Sequence, residues 1–180
     1  MCKSDYNKVG ELMGSKLRLF IFLILIIAIT SGCTQQESDV IAPPDNITLD
    51  EATKIDLKKL DINKLSKKDI KELDGINFSH DAVGYEMEYR YPNSPIKIRI
   101  VKFENQPEMA EFWSNWLNIY GLQDYSSEQT VEFNQDNRYS VYAWQKGQWF
   151  TYIGVPNESL KEKVKSVVSN HYSNLAKRGK

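Results

Sequence analysis

Eleven apolar residues in an unbroken row, Leu19 to Ile29, divide this chain before any of it can fold. Lys16 and Arg18 stand in front of them, and Thr30, Ser31, Gly32 and Cys33 follow. A bilayer core needs roughly 18–20 apolar residues in a helix, so the run is too short for a stable span. A basic start, a short apolar stretch and small residues at the exit form the pattern of a secretory signal. The expectation is a signal peptide over 1–32, with everything after it folding outside the cytoplasm. The polar stretch Met1 to Leu12 carries Asp5 and Glu11 and fits poorly before such a signal, whereas Met13-Gly14-Ser15-Lys16 makes a compact basic start. Met13 is therefore the alternative point of initiation.

The small residues that lead into Cys33 add a second inference. Ser31-Gly32-Cys33 resembles the end of the lipobox of prokaryotic lipoproteins, bacterial or archaeal, although Thr30 stands where that family usually has Leu, Val or Ile. The resemblance covers this segment alone. It implies a diacylglyceryl group on the Cys33 thiol, acyl chains such as palmitate, and Cys33 as the mature N-terminus. The domain would then be held to the cell membrane by lipid, on its extracytoplasmic face. Two acyl chains anchor stably where one is marginal. An uncleaved short anchor would give the same topology.

Cysteine use limits what the exported part can be. Apart from Cys33 the chain has only Cys2, so nothing after residue 33 can form a disulfide, a thiolate metal site or a redox pair. A domain of this kind is held by its core alone, and ten Tyr, seven Phe and four Trp supply one. Of 23 basic and 24 acidic residues, four and two lie in the first 32, leaving a net charge of about −3. That gives no electrostatic reason to expect a nucleic-acid partner.

Residues 33–50 read as the lipidated cysteine followed by a polar, flexible tether broken by Pro43-Pro44. Residues 51–176 read as a single α+β domain and 177–180 as a basic tail. Thr48-Leu49-Asp50-Glu51 fits a capping box for a short helix reaching Leu60, and Ser66 fits the start of a second helix running to Leu73. Val83 to Tyr91 and Ile96 to Phe103 alternate apolar with polar, which predicts an antiparallel hairpin with one wet face. Asn105, Pro107 and Glu108 open a helix whose Met109, Phe112, Trp113, Trp116, Leu117 and Tyr120 form one stripe, and Gly121 ends it. Gln129–Phe133, Arg138–Trp144 and Trp149–Val155 read as strands. A Lys146-Gly147 turn would set Trp144 opposite Trp149. The last helix opens at Pro156-Asn157-Glu158-Ser159. Leu160, Val164, Val167, Val168, His171, Tyr172 and Leu175 face inward, and Lys161, Glu162, Lys163 and Lys165 outward. The fold expected is one twisted antiparallel sheet of about five strands with two amphipathic helices on one face.

Little in the sequence argues for catalysis. Ser79-His80-Asp81 has the residue types of a triad, but consecutive residues cannot converge as triad members must. His171 lies on an apolar helix face. Glu86 and Glu88, about 7 Å apart along a strand, are best read as a charged sheet face paired with Arg90, Lys97 and Arg99. No phosphate-cradling loop or metal-ligand motif occurs, and no cofactor is expected. Trp144, Trp149, Tyr142 and Tyr152 are the candidate ligand contacts, with core packing as the competing use of the same rings. Asn46, Asn77 and Asn157 sit in glycosylation sequons, though Asn157 is better explained as a helix cap. The expectation is a non-enzymatic, lipid-anchored binding or interaction module. Its partner would be an envelope protein or a small ligand. A small-ligand carrier with a pocket between sheet and helices is the alternative, and a hydrolase the third.

Overall fold

The computed structural model describes residues 41–92 and 94–178. Three α-helices and eight strands alternate along them: α1 (Leu49–Ala52), β1 (Asn63–Ile70), β2 (Glu72–Leu73), β3 (Ile76–Asn77), β4 (Val83–Arg90), β5 (Ile96–Lys102), α2 (Gln106–Ile119), β6 (Thr130–Gln135), β7 (Tyr139–Lys146), β8 (Trp149–Val155) and α3 (Glu158–Arg178). Six strands form one open antiparallel sheet in the order β1-β4-β5-β8-β7-β6. β2 and β3 make a separate small hairpin. The α+β class is as expected, but the sheet has one strand more than the five foreseen.

The extra strand is β1, which the sequence presented as a helix from Ser66. Lys68 bonds Glu86 across the ladder, and the Lys67 ammonium pairs with Asp50 of α1 and lies 3.8 Å from the centre of the Tyr85 ring on β4. The register of β1 on β4 shifts between Lys64 and Ser66, so Leu65 is an extra residue at an edge bulge. Lysines and a bulge are common protection for a sheet edge. Asp74-Gly75, expected to end a helix, instead turns the β2–β3 hairpin. Both residues have positive φ, at 51° and 87°, as a two-residue hairpin loop of this kind requires.

The helices do not share a face. Alternate residues of β8 separate into two cores: Trp149, Ile153 and Val155 join one, Phe150 and Tyr152 the other. α3 and α1 cover the first core with Ile96, Ile98, Ile100, Tyr142 and Trp144. α2 covers the second with Val101, Phe103, Val141 and Ala143. The reason is in the central strands, where β8 is buried at every position and β7 at five successive ones. Helices on one face alone would have left Phe150, Val141 and Val101 in water. The wet face expected for β4 and β5 is likewise absent at Glu86, which is buried.

The helix caps are those the sequence encodes. Thr48 and Glu51 form a reciprocal capping box, although α1 lasts only one turn before the chain reaches a 3-10 turn at Lys58–Leu60. Asn105 Oδ1 accepts from the Glu108 N–H at 3.0 Å, and Asn157 Oδ1 from the Leu160 N–H at 3.0 Å. Gly121 has positive φ just past α2. The β7–β8 turn sits one residue later than expected: Lys146 pairs with Trp149 and Trp144 with Thr151, leaving Gly147 and Gln148 as the loop. Trp144 and Trp149 therefore share a face without facing each other. From residue 41 onward the expected tether lies against the domain. Ile41, Ala42 and Ile47 pack on the first core, and the Lys102 ammonium donates to the carbonyls of Asp45 and Ile47.

Candidate functional site

Of the expected site residues, Cys33 lies outside the described residues. The four candidate contacts are all buried, and the structure does not bring them together. Tyr142, Trp144 and Trp149 belong to the core beneath α3, and Tyr152 belongs to the opposite core beneath α2. Among the described residues the indole N–H groups of Trp113, Trp144 and Trp149 have no acceptor, so the contribution of these rings here is their packing. Ser79, His80 and Asp81 do not form a triad, because Ser79 turns away from the other two. The Ser79 hydroxyl donates to Glu108 at 2.6 Å, while exposed His80 sits 3.1 Å from Asp81. His171 Nε2 lies 3.1 Å from the Glu51 carbonyl, linking α3 to α1.

The most developed polar cluster lies on the α2 side of the sheet, and it is built around Asp74 in the β2–β3 turn. Its Oδ2 accepts from Trp116 Nε1 at 2.9 Å, in the last turn of α2, and from the hydroxyl of Tyr120, which caps that helix, at 2.8 Å. Its Oδ1 meets Arg99 Nη1 at 3.3 Å. Arg99 also donates through Nε to Glu86 at 2.6 Å, and its guanidinium lies over the Tyr152 ring. Gln135 closes the network, donating to the Tyr120 hydroxyl and accepting from the Tyr152 hydroxyl at 2.8 Å. To reach Gln135 the Tyr152 phenol lies across Gly154, where a Cβ would come within 2.7 Å of the hydroxyl oxygen.

Charge in this network is balanced. Burial opposes ionisation of Glu86, but bonds from Lys68 and Arg99 outweigh it and hold the carboxyl below its usual range. Burial also opposes the Arg99 charge, and Glu86, Tyr152 and Asp74 restore it. The Tyr120 and Tyr152 hydroxyls are pushed well above the ordinary tyrosine value, chiefly by burial and, for Tyr120, by the Asp74 carboxylate it serves. The cluster acts as a clasp that fixes the hairpin to helix and sheet. The sequence carried a faint signal of it: polar-headed Trp116 and Tyr120 sit on an otherwise apolar stripe, and an Asp-Gly turn precedes it in the chain.

A second buried cation lies at the margin of the other face. Lys161, expected to point outward, is buried, and its ammonium bridges Glu132 and Glu158 at 2.6 Å each. Ser140 donates to the second Glu158 oxygen. The sequence pattern failed because the lysine stem crosses the edge of the apolar face to reach Glu132 on β6. Glu132, Glu158 and Glu162 gather close enough to suggest a cation site, but the Lys161 ammonium already compensates two of them.

Two hollows open around the loop between β3 and β4. One, of about 420 Å³, is lined by Leu49, Ile70, Phe78, Ala82, Gly84 and Tyr85, with Asp69, Lys71, Ser79 and His80 around it. The other, of about 240 Å³, lies between that loop and α2, with Glu108, Glu111 and Asn115 at its side. Among the described residues no helix is long and apolar enough to cross a membrane. Comparison with known proteins gave no match: no family model fits the chain, and no curated protein or solved structure matches it.

Proposed function

We propose that the chain is an extracytoplasmic lipoprotein, anchored through Cys33, whose α+β domain is a binding or interaction module rather than an enzyme. The anchor rests on the sequence from Lys16 to Cys33. The module reading rests on one observation in the domain: both helix–sheet interfaces are filled by large aromatic side chains, with all four tryptophans buried. A carrier with its pocket between sheet and helices would have to displace that packing. The polar clusters point the same way, since the Glu86 carboxylate is already held by Lys68 and Arg99. Only seven residues, Thr34 to Val40, separate Cys33 from Ile41, where the chain already lies on the domain. The eight Cα–Cα steps from Cys33 to Ile41 can span at most about 29 Å, so the module would ride close to the bilayer.

Mass spectrometry of the mature N-terminus tests the anchor. A diacylglyceryl mass on Cys33, lost together with membrane association in Cys33→Ala, is the expected result. A soluble cytosolic product that retains residues 19–29 would overturn it. Capture of envelope proteins by the lipidated form then tests the module.

A further inference from the structure

The link from β1 to β4, residues 71–82, does more than join two neighbouring strands. It folds out as the β2–β3 hairpin, is clasped through Asp74, and returns along Phe78 and Ser79. We propose that the hollow of about 420 Å³ on the β1 side of this return is a binding site for a small neutral molecule with an aromatic or branched aliphatic body. This site does not depend on the lipid anchor. It offers the carrier alternative a place at the sheet edge rather than beneath a helix.

Size and lining set the class of ligand. Small-molecule pockets run from about 300 to 1,000 Å³ and are mostly apolar with a few polar groups. Here the apolar part comes from separate pieces of chain: Leu49 of α1, Ile70 of β1, Phe78 of the return, and Gly84 and Tyr85 of β4. Gly84 lets Ile70 and Phe78 close down on β4 and form a continuous apolar wall, since a Cβ there would lie 2.9 Å from both. At the mouth Val83 is 53% exposed, a large apolar side chain left facing water. The polar groups do not favour an ion. Lys71 is offset by Asp69 around the same hollow, and the His80 ring lies 3.1 Å from Asp81. They offer donors and acceptors without net charge, which suits a neutral ligand carrying one polar group. The Ser79–Glu108 bond and the Asp74 clasp hold the shared wall in place, so the hollow is formed before any ligand arrives.

Indole is a suitable probe. With the ¹⁵N-labelled full chain in lipid nanodiscs, amide shifts are followed against free indole. Saturable shifts confined to residues 69–71 and 78–85, with half-saturation near or below about 1 mM, are expected. Val83→Trp, at an exposed position, closes the mouth and weakens binding at least about tenfold. Val83→Glu does the same by removing the apolar contact and placing a hydrated carboxylate at the mouth, should the bulkier change disturb the fold. Asn115→Trp, in the smaller hollow, leaves binding unchanged. The proposal fails if wild-type shifts do not saturate, if they map to the smaller hollow, or if folded Val83 variants bind as well as wild type. It also fails as to class if indole-3-acetate binds tenfold more tightly than indole.

Discussion

The two faces of the sheet are built from the same three central strands but are sealed by different chemistry. Beneath α3 the buried polar groups are neutral hydroxyls: Tyr89 donates to the Ile55 carbonyl, and Thr151 and Tyr172 meet at 3.5 Å. Its buried ion pair, Lys161 with Glu132 and Glu158, sits at the margin, and the two carboxylates stay 44% and 66% exposed. Beneath α2, by contrast, the charges lie inside. Arg99, Glu86 and Asp74 are 12%, 8% and 17% exposed, and aromatic rings surround them. The difference follows from what each face must hold. α3 is long and continuous with β8 through a short turn, so apolar contact along 21 residues suffices to seat it. The α2 side must also capture a small hairpin with little apolar surface of its own, and directional bonds to Asp74 do that.

Removing the cation from each side should give the largest contrast. Arg99→Met strands Glu86 and Asp74 in a nearly dry place, and breaking a buried pair in this way costs about 3–5 kcal/mol. Lys161→Met leaves carboxylates that water already reaches, so a loss of about 1 kcal/mol or less is expected. Urea denaturation of both variants, at equal salt, measures the difference. Equal losses would mean that the two ion clusters do the same structural job and that the distinction between the faces is wrong.

The indoles give a finer comparison with a smaller effect. Trp116 Nε1 serves Asp74, while Trp144 Nε1 has no acceptor among the described residues. Replacing either by Phe removes similar volume, but only Trp116→Phe takes a donor from a buried carboxylate. It should therefore be less stable than Trp144→Phe by about 1–3 kcal/mol. Hydrogen exchange should also show residues 72–77 opening more readily in Trp116→Phe alone. If Trp144→Phe proves as costly, its N–H has an acceptor and the first face is wetter than described.

What the sequence made legible follows the same division. Caps act locally, so Thr48, Asn105, Asn157 and Gly121 could be placed by inspection, and the stripe on α2 by its period, whereas the turn at Gly147 was legible only to within one residue. The two-sided sheet could have been anticipated, because runs such as Ser140-Val141-Tyr142-Ala143-Trp144 do not alternate, and unbroken apolar strands signal burial on both faces. β1 was not legible. Its lysines suit a helix as well as a strand, and only Glu86 and Tyr85 across the ladder decide between them. The Asp74 clasp was hidden for a similar reason, since its partners lie 25 to 46 positions away in the chain. The hollow beside Phe78 is likewise made by segments that no local pattern connects.

Acid sensitivity is the smallest expected effect and the one that separates the faces by salt. Lys68 and Arg99 hold Glu86 below its ordinary value of 4.5, and Lys161 and Ser140 do the same for Glu158. A carboxyl whose folded pKa is depressed adds stability above its unfolded pKa, and that stability disappears as pH falls through the folded value. Both contributions should therefore be fully present and independent of pH above about pH 4.5, and be lost progressively below it. Glu158 is open to solvent, so 0.5 M salt should erase its share, whereas the Glu86 share should persist because its partners are enclosed. In practice, Glu86→Gln should flatten the acid limb of a melting-temperature profile at both low and high salt. Glu158→Gln should flatten it at low salt only. A Glu86→Gln profile that becomes indistinguishable from wild type once salt is added would place Glu86 in the same screened environment as Glu158.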